Sequence, residues 1–290
     1  MAQGSASSEP SVSSATQPNA GDCEEGPGPH LVYALGVVGY DFGTAARQDG
    51  FKQAMGSGDP MQPAQLLDYL DQTPYAAADL IWTLKFDTTP VYAVRPKGPY
   101  CSVTLERLRT ALRQQLKSEA QLVAVPGVVG GQIRLHSGQH VPVIRATPRG
   151  LVSWATASLL DTLLGKEAGT SNAASGARRA ALMNFLERVY YELRNLGQKS
   201  QDRAINFAAT NALLVDQVFA QAMQAQLELD QIGVEKSPVC RPHSDCWDVK
   251  LTFFSPSHRM EQARRVYRFT VDVSDVVPVT VGPVRSWAVF

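Results

Sequence analysis

Apolar and polar positions change period several times along the chain, and the changes mark out its elements. Leu31 to Leu35 forms a compact apolar run of strand type. Glycines 36, 39 and 43 follow it, and then a helix for which Thr44 supplies the N-cap oxygen. Pro63, Leu66, Leu67 and Leu70 recur at helical spacing, and Ile81–Leu84 and Val91–Val94 are strand segments on either side of a Thr-Thr-Pro turn. Leu105, Leu108, Leu112 and Leu116 line one face of a further helix, with Ser102 or Thr104 available to cap it and Glu106 suited to its positive first turn. Two runs meeting at Ser137-Gly138 predict a hairpin.

From Leu151 the pattern reads as helical. Leu182, Phe185, Leu186, Val189, Leu193 and Leu196 form one stripe within Gly176–Leu196, closed by Gly197 as a C-cap. A second long helix is expected from Ser200 to about Asp230, and the short connection makes the two an antiparallel pair. Strict alternation returns in Trp247–Phe254 and Tyr267–Val273, which predicts two strands with one buried face each, and Val284–Phe290 reads as a closing strand. The expected class is α+β, with small, mostly antiparallel sheets and a long antiparallel helix pair. Residues 1–29, rich in Ser, Ala, Gly and Pro, read as a disordered tail. Residues 30–147 form an N-terminal α+β half and 148–290 a C-terminal half, a division equally compatible with one integrated domain.

Composition narrows the partners. Lys plus Arg and Asp plus Glu each number 27 in 290 residues, so there is no net attraction to nucleic acid or an anionic membrane. The N-terminal stretch lacks the basic start and apolar core of a signal peptide, and no apolar run is long enough to span a bilayer. A cytoplasmic protein is expected. In that setting four cysteines are better explained as thiols or metal ligands than as disulfides.

Cys240, His243 and Cys246 form C-x2-H-x2-C in a Pro-containing loop, a spacing in which sulfur and imidazole can converge on zinc. Cys101, just ahead of the Leu105–Leu116 helix, stands at a turn that suits metal ligation and is the nominee for the remaining position. A structural zinc clasp between the halves, held by Cys101, Cys240 and Cys246 with His243 as the weakest ligand, is therefore expected. The plainer alternative is free thiols and a surface imidazole. A zinc that kept a water in its fourth position would instead permit catalysis, with His243, His258 or Asp245 moving protons. Gly36, Gly39 and Gly43 fit neither the dinucleotide fingerprint nor the phosphate loop, and are expected at tight turns. His136 and His140 flank a hairpin and need not converge, and Arg285 and Trp287 alternate on one strand face.

The run CWDVKLTFFSPSHRMEQARRVYRFTVDVSDVVPVTVGPVRSW, taken with LVYALGVVGYDFGTAARQDGFKQAM, SGQHVPVI and RGLVSW, resembles the C-terminal domain of unknown function of the cyanobactin maturation proteases PatA and PatG. The resemblance covers nearly everything after Pro29. It implies a setting in which ribosomal peptides are modified and cyclised, usually with this domain fused behind a subtilisin-like protease or macrocyclase. The chain itself shows no G-x-S-x-G turn or protease triad, so protease activity does not carry over. What the resemblance implies is the accessory domain alone; the first reading of its role is non-catalytic binding of a precursor peptide or a maturation enzyme. A zinc-dependent enzyme and a structural module that forms a homodimer are the other readings.

Overall fold

The computed structural model describes Met1 and residues 30–154, 194–210, 218, 221–222, 225, 227–256 and 263–289. Its first unit is built on β1 (Leu31–Asp41), β2 (Ile81–Phe86), β3 (Thr89–Val94), β4 (Leu122–Arg134) and β5 (His140–Ala146). β1 divides its pairing. Leu31–Gly36 run antiparallel to β4, and Val37–Asp41 run antiparallel to β2. The β2–β3 hairpin continues the sheet, β3 pairs in parallel with β5, and β5 returns antiparallel to β4. The five strands thus close on themselves as a mixed barrel, and β6 (Val152–Trp154) adds to β4 outside the ring.

Alternate residues of every barrel strand, among them Val32, Trp82, Tyr92, Val123 and Ile144, meet in one buried cluster. Three helices contribute to it: α1 (Ala45–Met55), α2 (Pro63–Gln72) and α3 (Cys101–Leu116), the last through Leu105, Leu108 and Leu112. The 3-10 turn Pro74–Ala78 leads into β2, and Trp82 Nε1 donates to Ala77 O at 2.9 Å, so the largest core side chain is also fixed by its one polar atom.

The second unit is an antiparallel sheet of β7 (Glu228–Lys236), β8 (Cys246–Phe254) and β9 (Arg264–Asp272). The far edge of β9 is covered in two stretches, by β10 (Val279–Thr280) and by β11 (Arg285–Val289). Val249, Leu251, Phe253, Tyr267 and Phe269 turn inward and pack with Ala204 and Ala208 of α4 (Ser200–Thr210) and with Tyr33 and Leu35 on the other side of β1. One apolar cluster therefore joins both sheets through α4.

Several expectations are corrected. The architecture is a closed mixed barrel plus a second sheet, not small antiparallel sheets beside a long helix pair. Most of the first expected helix lies at 176–193, outside the described residues, and residues 194–199 are not helical. The second is helical over Ser200–Thr210, but Glu228–Lys236 is a strand. There a partner strand decides the structure: β7 and β8 pair along their length, which satisfies backbone groups that an extension of the helix would have satisfied internally. No long antiparallel helix pair exists among the described residues. Leu151 does not open a helix either, since Val152–Trp154 pairs with β4. Gly36 and Gly39 lie inside β1 and not at turns, and a Cβ at Gly36 would stand 2.7 Å from Lys85 O, so glycine there permits the close approach of β2. Thr44 does cap α1, accepting from Arg47 N. Neither Ser102 nor Thr104 caps α3, which begins at Cys101 with no side-chain cap.

Candidate functional site

The cysteines do not form a metal clasp. Cys240 and Cys246 are joined to each other in a disulfide that closes the loop between β7 and β8. Sulfurs so bonded offer no thiolate to zinc. His243 sits on the intervening turn with φ +64, and Cys101 lies in the barrel unit, its Sγ 3.7 Å from Pro96 O. Among the described residues no three His, Cys, Asp or Glu side chains gather as a metal site. The nominated zinc clasp is therefore not assembled among the described residues, and the preference for thiols over a disulfide is corrected for Cys240 and Cys246. His258 lies outside the described residues.

Cys101 instead lines a cleft of about 480 Å³ at one end of the barrel. Its accessible apolar lining includes Ile133 and Val143, with Trp82 and Val94 buried beneath, and Gln132 supplies an amide. Arg95, Lys97 and Arg145 are its charged groups, and neither a carboxylate nor an imidazole is among the lining side chains. The strands bring two of these cations together. Parallel pairing matches Ala93 with Val143 and Val94 with Ile144, and Arg95 N donates to Ile144 O at 2.9 Å, so continuing the register sets Arg95 beside Arg145. β4 makes room for them through a bulge between Val129 and Gln132. Gly130 lies in that bulge, and a Cβ there would fall 2.7 Å from Arg145 Nη2, so the missing side chain is what lets the guanidinium lie across the strand.

A second cleft, of about 500 Å³, opens between the end of β1, the last turn of α3 and His136. Its polar groups serve the backbone. Gln115 Oε1 accepts from Val38 N at 3.0 Å, and Asp41 Oδ1 accepts from Gly43 N at 2.6 Å and His136 N at 2.8 Å. Tyr40 is pushed up to about 12 by burial and then by the charge of Asp59, and its hydroxyl donates to Pro60 O at 2.9 Å. It stays a neutral structural phenol at physiological pH.

On the outer face of the second sheet, buried Asp248 accepts from Thr270 Oγ1 at 2.7 Å. Arg268 Nη1 stands 3.3 Å from its other oxygen, an ion-pair contact outside hydrogen-bond geometry. Trp287 packs across the sheet, with Lys250 at 6.0 Å and Arg268 at 5.9 Å from its ring.

Residues 31–141 match a family model described as PatG Domain, and residues 172–287 match one described as PatG C-terminal. A solved structure described as "PatG Domain of Unknown Function" is 42% identical, superposes with a TM-score of 0.83, and covers 90% of this chain and 100% of its own. The chain belongs to the PatG domain family. The resemblance read from the C-terminal run and the β1–α1 segment is therefore the correct one. No curated protein matches this PatG-family chain. Among the described residues no helix is long and apolar enough to cross a membrane. The basic cleft went unread in the sequence because Arg95 and Arg145 are fifty positions apart and meet only through the parallel β3–β5 register. The available signal was a pair of strand segments, YAVR and VIRA, each ending beside an arginine.

Proposed function

We propose that this PatG-family chain is a non-catalytic accessory domain that docks a peptide segment in the maturation of ribosomally made cyclic peptides, and that the cleft at the end of the barrel is the docking site. The cleft carries this reading. Its volume, apolar floor, amide and convergent charged groups suit an extended chain of a few residues. The lining side chains also include no base to take the proton of Cys101, which favours binding over thiol chemistry. Family membership supplies the biosynthetic setting, and the segment belongs to a precursor peptide or to a maturation enzyme.

Isothermal calorimetry of the full chain against precursor peptide and neighbouring maturation enzymes tests the proposal. Binding is expected, and Gln132→Trp, which fills the cleft from an exposed position, is expected to weaken it by about tenfold, or about 1.4 kcal/mol. Undiminished binding by that variant would move the site elsewhere. No binding of any of these partners at several hundred micromolar would overturn the function itself.

A further inference from the structure

We infer that the cleft selects acidic peptides, taking a Glu or Asp carboxylate between Arg95 and Arg145 while neighbouring apolar side chains rest on Ile133 and Val143. This deepens the docking role proposed above and rests on it. Five arginines elsewhere are matched: Arg109 and Arg113 face Asp71, Arg194 faces Asp87, Arg264 faces Asp230 and Arg268 faces Asp248, while Arg47 and Arg107 donate to backbone carbonyls. In a chain of zero net charge that is the ordinary arrangement. Arg95, Lys97 and Arg145 have no acidic partner among the described residues, although two of them are adjacent across paired strands. Like charges on neighbouring strands repel, so their placement costs stability unless an anion joins them.

The geometry is prepared for that anion. Gly130 removes the one side chain that would displace the Arg145 guanidinium, and the parallel register fixes Arg95 alongside it. Two guanidiniums can each present paired N–H donors to one carboxylate, which a lone ammonium cannot do. Lys97, at the same rim, adds a third positive charge. The apolar floor distinguishes a peptide from a bare inorganic anion, since it gives the residues flanking the carboxylate a surface to bury. A basic peptide meets three like charges and is rejected.

The test uses the full chain and two rhodamine-labelled peptides of equal length, one alternating Leu with Glu and one alternating Leu with Lys, followed by fluorescence anisotropy. The Leu/Glu peptide is expected to bind at least about tenfold more tightly, with the difference shrinking as salt is raised, because exposed charges are screened. Arg95→Glu with Arg145→Glu is expected to invert the preference. Both side chains are exposed, so the variant should fold, and the single changes Arg95→Gln and Arg145→Gln provide milder versions that lower affinity without inversion. Gly130→Ala, which keeps every charge, is expected to weaken the Leu/Glu peptide by displacing Arg145. Equal binding of the two peptides, or a preference that survives charge reversal, would overturn the inference. So would displacement of the Leu/Glu peptide by inorganic phosphate at equal concentration. The two proposals fail separately. A precursor whose binding is abolished by Gln132→Trp but unchanged by charge reversal leaves docking intact and removes the acidic selectivity. Charge-dependent capture of Leu/Glu alone, with no maturation partner bound, does the reverse.

Discussion

Asp245 stands where β7, β8 and the start of α4 meet. Its carboxylate pairs with Lys236 and accepts from Trp247 Nε1 at 2.8 Å, while its backbone N donates to Ser274 Oγ at 2.7 Å and its carbonyl accepts from Val273 N at 2.9 Å. Burial pushes the carboxyl pKa up, but hydrogen bonds from Lys236, Ser200 and Trp247 together outweigh it and hold the group below its ordinary value. Asp272 behaves alike: burial raises it, and Ser274, Ser244 and Arg241 bring it down. A depressed folded-state pKa means stability that is fully present above the unfolded value, about 3.9 for Asp, and lost as pH falls through the folded value. Thermal melts between pH 7 and pH 3 are therefore expected to show a loss of stability starting near pH 4, with a shallower loss in Asp245→Asn. Identical acid slopes in the two proteins would remove Asp245 from this role. Lys236 is half exposed, so most of the effect comes from the hydrogen bonds and little from the ion pair alone.

At the scale of elements, residues 194–199 act as a wedge between the units. Gly197 O accepts from Tyr33 N at 2.9 Å, Asn195 and Asn206 exchange amide hydrogen bonds at 2.9 Å, and Asn206 also donates to Tyr33 O. Tyr92 donates to Leu196 O at 2.8 Å and accepts from Gln198 at 2.7 Å. These contacts fill the stretch of the β1 edge that β2 leaves unpaired. Gly197 has φ +65, and a Cβ there would lie 2.2 Å from Tyr33 O. Gly197→Ala is thus expected to cost more than about 2 kcal/mol in urea unfolding, through both strain and collision. An effect under about 0.5 kcal/mol would mean the wedge adjusts freely. The sequence marked this glycine as special but assigned it to a helix end, because positive φ serves a C-cap and a buttress equally well. The Thr44 cap, α2, the Ser137-Gly138 hairpin and the alternating strands β8 and β9 were legible because each depends on residues close in sequence. β6, β7 and the Arg95–Arg145 pair depend on partners dozens of positions away. The disulfide was missed for a different reason: C-x2-H-x2-C also has metal-ligand spacing, and ligand chemistry does not register when two sulfurs lie close enough to bond.

Across the whole molecule, the two sheets are parts of one packing system. Tyr33, Leu35, Leu122 and Ala124 on the outside of the barrel share a buried cluster with α4 and with the inward residues of β8 and β9. The basic cleft shares no residue with that core, so removing one charge at Arg95 or Arg145 is expected to change stability only by the relieved repulsion, a gain of about 0.2–1 kcal/mol. The divided pairing of β1 carries a consequence for how the chain reaches this state. Its partners along Leu31–Gly36 are Val123–Val128, roughly ninety positions later, whereas β2 with β3 and β4 with β5 are local hairpins. Closing so long a loop loses chain entropy before any contact offsets it, so the ring should be completed late, after the hairpins and α3 have formed. Val32→Ala, buried at this seam, is then expected to accelerate unfolding much more than it slows refolding in stopped-flow measurements. Equal effects on both rates would place the seam in the folding nucleus. The strand that begins the barrel in sequence would, on this route, be the one that finishes it in time.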